Sequence, residues 1–420
     1  MGLGIYIKGE ISKPPLSFKK KSFELSSVQE YLTKHSSGLF RDFLSFTQNE
    51  TNLYATIHPC EETVDFELAG ETLICSAKTN SVGPGYHAYL IELIEKLGSG
   101  LGIKWNWNLE EGEEYYQDET GYHEHRNYDQ LQFEMLKWLN ALCRNFDEEG
   151  GKQLMISLPM GSPRMKLDYF AVSPIQIWER EWFNKVANLV PEDLHWAGKE
   201  FFVWWNKQPD ALFYKHTGIA LLNVECPWHF PADDKEKKIL STIDQCFEQA
   251  RKIDPFIELP DEDWNTVKNF LSESETDIPQ TEYGYRKHLM TFDLTDNWLI
   301  DLPGTMYRGE DGNTIIFYDH IFTVRSIAYG ITKKNSDADY AEHFFDNNEN
   351  AGAEVLYSET ELAGKAIVYY ALDKEANSEY WILQGVRVKN DKFMLSTICF
   401  PTDEYKEWAA QTWNSLRNPD

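Results

Sequence analysis

Apolar residues recur at intervals of three and four through Leu90, Ile91, Ile94 and Leu97, a spacing that lines one helix face and puts His87 on the same stripe. The chain enters this stretch through Gly83-Pro84-Gly85. Pro84 suits a first helical position, and Gly98 is the expected stop after a helix of about fourteen residues. A second helix is predicted over 127–146. There Asn127 and Gln130 have capping-box spacing, and Leu131, Met135, Trp138, Leu139 and Leu142 form the apolar face. A third is predicted over 233–253, with Ile239, Leu240, Ile243, Phe247 and Ala250 on one side, and a fourth ends near Leu271. Residues 64–79 and 217–230 read as strands. Strand, proline-bearing turn and amphipathic helix therefore recur near 64–97 and 217–253, the outline of a divergent duplication.

After the polar stretch 272–285, read as an interdomain linker, the period changes. "NWLIDLPG", "NTIIFYD", "HIFTVRSIAYGI", "KAIVYYALD", "EYWILQGVRVKN" and "KFMLSTICF" are strand-like runs, with Gly312-Asn313 and Asn390-Asp391 as turns. A short helix is expected over 337–345 and a closing amphipathic helix over 402–416. The fold class is therefore α+β and multi-domain. An N-terminal part covers 1–150, a middle part 151–271 that can form one unit with it, and an antiparallel-sheet domain flanked by helices 286–420. The order of the last domain, from "DLPGTMY" through hairpins and "AGKAIVYY" to one final helix, resembles the Mog1/PsbP-type sandwich over about 286–417. That fold recurs in bacterial immunity proteins. The resemblance rests on element order and implies a protein-interaction module that neutralises a toxin, with binding in place of catalysis.

Charge sharpens this picture. Against 40 Lys and Arg stand 68 Asp and Glu, a net charge of −28, which repels nucleic acid and anionic lipid and attracts basic proteins. The short basic cluster Lys19-Lys20-Lys21 is too small to reverse this. The start of the chain lacks the pattern of a secretory signal, no run approaches the length of a membrane span, and the six scattered cysteines read as reduced thiols. A cytoplasmic protein is the expectation. Its oligomeric state is not legible.

Candidate chemistry is sparse. Gly83-Pro84-Gly85 lacks the lysine and hydroxyl of a phosphate loop, and Pro84 removes one of the N–H groups that a phosphate needs. The densest polar cluster, 118–129, carries His123 and His125. With His87 these are the candidate metal ligands of an alternative reading, an enzyme or metal protein centred on the N-terminal part. His58-Pro59-Cys60 and Cys226-Pro227-Trp228-His229 each pair a thiol with an imidazole, too far apart in sequence to make spacing an argument. No catalytic motif stands out, and no cofactor is expected. More distinctive is the run 105–119. Trp105, Trp107, Tyr115 and Tyr116 alternate there with Glu110, Glu111, Glu113 and Glu114, so rings supply burial while carboxylates steer a basic partner. This run is the candidate partner-binding surface.

Overall fold

The computed structural model describes residues 2–12, 23–36, 38–107, 117–148, 154–158, 163–166, 169–331, 336–346, 353–358, 362–373 and 378–419. The chain divides into two compact units. The first comprises 1–162, 168–226 and 233–284; the second comprises 163–167, 227–232 and 285–420. Both mix helices with antiparallel sheets, as the α+β reading requires.

The first unit is built on a sheet of β1 (Gly4–Ile11), β2 (Ser45–Gln48), β3 (Asn52–Thr56), β4 (Val64–Ala69), β5 (Thr72–Lys78), β6 (Ile103–Asn106) and β7 (Gln117–Asp118). Its order is β2-β3-β4-β5-β1-β6, with β7 also paired to β1. Strand residues alternate across the sheet, so Ile7, Leu53, Ala55, Val64, Phe66, Leu73 and Cys75 are buried while their neighbours are not. Residues 64–79 thus form a hairpin and not one strand. Gly70, at φ 68°, takes the left-handed turn position that glycine adopts at no steric cost.

Helices α1 (Leu25–His35), α2 (Leu39–Phe43), α3 (Pro84–Leu101), α4 (Tyr122–His125) and α5 (Tyr128–Glu148) follow in chain order. Helix α3 starts at Pro84 as expected but passes through Gly98 and ends at Gly102, which holds φ 69°. Gly98 is a packing residue: a Cβ there would lie 2.5 Å from Trp105 Nε1. Helix α5 is capped through Gln130 N–H, which donates to Asn127 Oδ1 at 3.2 Å; the Gln130 side chain turns to Glu134, so only half of a capping box forms.

The short strands β8 (Leu154–Met155), β10 (Ala171–Val172) and β11 (Ile177–Trp178) make a small sheet. Helices α6 (Arg180–Ala187), α7 (His195–Phe201), α8 (Ala211–Val224), α9 (Asp234–Ile253) and α10 (Asp261–Leu271) complete the first unit. Helix α8 corrects the strand expected at 217–230, and with it the duplication. Ten of its residues, including Thr217, Gly218 and Ile219, are buried, so its apolar run has no polar side to reveal a helical period.

In the second unit, β9 (Arg164–Met165), β12 (Leu289–Asp293) and β13 (Leu299–Pro303) form one sheet. A larger one runs β14-β15-β16-β20-β19-β18-β17, from β14 (Tyr307–Asp311), β15 (Thr314–Tyr318), β16 (Thr323–Gly330), β17 (Glu354–Tyr357), β18 (Gly364–Asp373), β19 (Ser378–Lys389) and β20 (Lys392–Phe400). The turns at Gly312-Asn313 and Asn390-Asp391 close the β14–β15 and β19–β20 hairpins. Helix α11 (Asp337–His343) packs through Ala341 against Ile367, Val386, Val388 and Phe393. On the opposite face, α12 (Lys406–Asn414) brings Trp413 against Gly364 and Gly385. The buried Arg387 guanidinium lies 4.6 Å from the Trp413 ring and donates to the Leu362 and Asn414 carbonyls. No helix among the described residues is long and apolar enough to cross a membrane.

Candidate functional site

The glycine loop ahead of α3 is bonded into its own unit. Gly83 N–H donates to Thr79 O at 2.9 Å, Gly85 N–H to Trp204 O at 3.0 Å, and Trp204 N–H to Val82 O at 2.9 Å. A Cβ on Gly85 would lie 2.0 Å from Trp204 Cδ1. The loop turns the chain under an aromatic segment, and its amides are spent on carbonyls.

Behind it lies a buried polar network that includes His87 and that sequence reasoning did not assemble. His87 is fully buried. Its Nδ1 is 2.7 Å from Thr79 Oγ1, and its Nε2 is 3.0 Å from both Asp118 Oδ1 and Thr120 Oγ1. Asp118 Oδ1 also accepts from the Thr120 hydroxyl and N–H at 2.8 and 2.9 Å, while Oδ2 accepts the His123 N–H at 2.7 Å. Burial alone would raise the Asp118 carboxyl. Hydrogen bonding to His87, the attraction of its charge, and the two backbone N–H donors together hold it well below the ordinary carboxylate range. The order Thr79, His87, Asp118 has the connectivity of a nucleophile relay, but Thr79 and His87 are sealed from solvent. The network ties β5, α3 and β7 together.

The other metal candidates are occupied separately. His123 Nε2 is 3.1 Å from Glu95 Oε1, a carboxylate that also pairs with Arg126. The His125 side chain is 64% exposed, with Glu124 4.0 Å away. His58 Nδ1 accepts from Cys60 N–H at 3.2 Å and its Nε2 faces Thr217 Oγ1 at 3.4 Å, while burial lowers the imidazole to about 3 and keeps it neutral. Among the described residues, no group of three or more His, Cys, Asp or Glu side chains is placed to hold a metal ion.

Of the aromatic–acidic run, Trp105 and Trp107 are described; Glu110, Glu111, Glu113, Glu114, Tyr115 and Tyr116 lie outside the described residues. Trp105 is largely structural: its Nε1 donates to Ile94 O at 2.9 Å, and its ring sits against Gly98 and Gly9. Trp107 is half-buried and stacks on His123, with centroids 4.0 Å apart and planes 8° from parallel. Half-burial, aided by Arg126, draws the His123 imidazole below its ordinary value against the pull of Glu95. The Trp107 ring is therefore fixed on His123.

On the same unit, β1, β4 and β5 border a shallow cleft of about 560 Å³ that Glu62, Asp65 and Glu119 line with carboxylates. Lys78 also lines it, paired with Glu62 at 2.9 Å. Burial, with the Glu62 charge adding to it, raises the Asp65 carboxyl, although Thr63 donates to it at 2.5 Å and Lys78 opposes the rise. Glu62 and Asp65 were not singled out from the sequence; their positions at the foot and start of β4 become informative only once β5 returns beside them.

No family model matches the sequence, and no curated protein does. A crystal structure from Bacteroides thetaiotaomicron VPI-5482, at 1.50 Å resolution, is similar over 30% of this chain, at 12% identity and a TM-score of 0.24. The match covers 46% of that chain, and a likeness at this level carries no argument.

Proposed function

We infer that the chain is a protein-interaction protein that captures a basic partner through an acidic, aromatic surface of its first unit. The observation that carries this reading is the carboxylate-lined cleft at β1, β4 and β5, where one lysine faces Glu62, Asp65 and Glu119 and is already paired. A basic side chain entering the cleft meets carboxylates in a partly desolvated setting, where charge attraction is stronger than in open water. The Trp107 ring, held by His123, supplies a pre-organised aromatic anchor whose ordering cost is met before binding. The net charge of −28 adds long-range steering toward such a partner. Neutralisation of a bacterial toxin in the cytoplasm is the most specific form of this reading. Its support is the resemblance of the C-terminal sandwich to immunity modules.

The test is affinity capture from the source cells with the intact protein and with a Glu62→Gln/Asp65→Asn/Trp107→Ala variant, at low and high salt. The expected result is a basic protein retained at low salt, released by salt, and held at least about tenfold more weakly by the variant, roughly 1.4 kcal/mol. Retention by the variant equal to that of the intact protein would overturn the assignment of this surface. If co-expression with the captured protein gives no protection from its toxicity, the neutralisation reading fails while the interaction reading stands.

A further inference from the structure

A second cleft in the first unit, about 510 Å³, is lined by the β10–β11 turn, α7, α8 and the segment at 282–283. Its volume lies in the range that encloses small ligands. At its wall stands His216, which is 8% exposed. The Nδ1–H donates to Phe202 O at 3.1 Å, which fixes the tautomer and leaves Nε2 as a lone pair. Nε2 has no hydrogen-bond partner among the described residues, and it is not among the buried polar atoms sealed from solvent. Burial lowers this imidazole to about 4, and the Lys215 charge adds to the effect, so the lone pair stays available at neutral pH. His216 is therefore an acceptor that no described protein donor meets and that stays open to the cleft.

The charges around it have an unusual balance for so acidic a chain. Lys199 and Lys215 both line the cleft, and neither has a carboxylate within ion-pair distance among the described residues. Two carboxylates, Glu200 and Glu282, line it as well. Glu200 accepts from Trp182 Nε1 at 2.9 Å. Beside Glu282, burial, with the Glu282 charge adding, raises the Tyr283 hydroxyl to about 12 and so keeps it protonated. Asn223 is committed to the framework, donating to Pro174 O at 3.0 Å and accepting Gly284 N–H at 2.7 Å. Ile175, Ile177, Leu212 and Ile219 supply an apolar lining between the charged groups.

An anion alone would use the lysines and leave the imidazole lone pair unmet, and a cation alone would leave the lysines unmet. A molecule carrying both charges satisfies each group. We propose that this cleft binds a free α-amino acid with an apolar side chain. Lys199 and Lys215 hold the carboxylate, His216 Nε2 and Glu282 accept from the ammonium group, and the isoleucines and Leu212 cover the side chain. Lys199 is exposed and Lys215 half-buried, so both ammonium groups are free to meet an incoming carboxylate, and charge-assisted bonds of matching sign then form at both ends of the amino acid.

The experiment is isothermal titration calorimetry of the full chain with L-leucine, 4-methylpentanoate, which lacks the ammonium, and isoamylamine, which lacks the carboxylate. L-Leucine is expected to bind with a Kd below about 1 mM, and each half-molecule at least about tenfold more weakly. Lys215→Gln is expected to weaken L-leucine about tenfold. Glu282→Gln should weaken L-leucine while leaving 4-methylpentanoate unchanged. These two positions are at least partly exposed, so the variants test binding even if His216→Phe fails to fold. Absence of heat and of thermal stabilisation with L-leucine, L-isoleucine, L-methionine and L-phenylalanine at about 10 mM would overturn the proposal. Binding of 4-methylpentanoate as tight as that of L-leucine would also overturn it.

Discussion

Replacing Asp118 by Asn tests whether the buried network around His87 is a structural clamp. In the native arrangement Oδ1 accepts three hydrogen bonds and Oδ2 accepts the His123 N–H at 2.7 Å. Asn can keep its oxygen in the crowded Oδ1 position, but its NH2 then faces the His123 N–H, donor against donor. Leaving a buried donor unmet costs about 1–3 kcal/mol, and turning the remaining charge-assisted bonds into neutral ones costs roughly 1–2 kcal/mol more. The sum, about 2–5 kcal/mol, corresponds to a calorimetric midpoint lowered by about 4–10 °C for a unit of this size. Hydrogen exchange of residues 117–126 should accelerate in step, because the His123 amide loses its acceptor. The pH dependence supplies an independent check. The Asp118 carboxyl titrates well below its unfolded value near 3.9, so its contribution is complete above about pH 4 and is lost progressively as pH falls further. The gap between native protein and variant should therefore narrow from pH 5 to pH 3. A variant melting within about 1 °C of the native protein, or a gap constant with pH, would refute the clamp.

The opposite sign is expected at Glu61, which is buried and accepts the Ile57 and His58 N–H groups at 2.6 and 2.9 Å. Burial raises its carboxyl well above the ordinary range, so the folded state holds the proton and stability falls as pH rises from about 4.3 toward that raised value. Glu61→Gln keeps an oxygen for both amides. It should cost less than about 1 kcal/mol at pH 5 and become relatively more stable at pH 8, read from paired melting curves. Gly85→Ala drives a methyl into the Trp204 indole, 2.0 Å from Cδ1, and should destabilise by about 2–4 kcal/mol. Wild-type Trp fluorescence and midpoint in that variant would show the close approach to be unimportant.

Amphipathic elements were legible because burial on one side leaves a period in the sequence. Helices α3, α5 and α9 and the C-terminal hairpins follow their apolar stripes and turn residues. Elements buried on all sides were not legible. Helix α8 has no polar stripe, and its run of Thr, Ile, Ala and Leu fits a strand equally well. Gly98 misled for a related reason: helix-stopping glycine and helix-packing glycine are the same residue, and only Trp105 folding back on it distinguishes the two. Of the candidate site, His87 was visible as a polar residue on an apolar stripe. Asp118 and Thr120, 31 and 33 residues away, were invisible as its partners until β7 paired with β1.

The buried histidines show what separates a structural imidazole from one that can recognise a ligand. His58 spends Nδ1 on the Cys60 amide and faces Thr217 with Nε2, and His87 spends both nitrogens on Thr79, Asp118 and Thr120. Neither has a lone pair or proton left for a second molecule, and His87 is a satisfied, buried histidine. His216 attracts no notice in sequence, lying between Lys215 and Thr217 just ahead of the run 217–230 that reads as a strand. Yet it keeps one nitrogen unspent beside two unpaired lysines. A hydrogen-bonding group that no protein partner meets and that faces a concave surface is left to solvent or to a ligand. It therefore points to binding more directly than residue type or sequence neighbourhood does. In this chain the proposed amino-acid site accordingly lies at α8, away from the histidine-rich stretch 118–129.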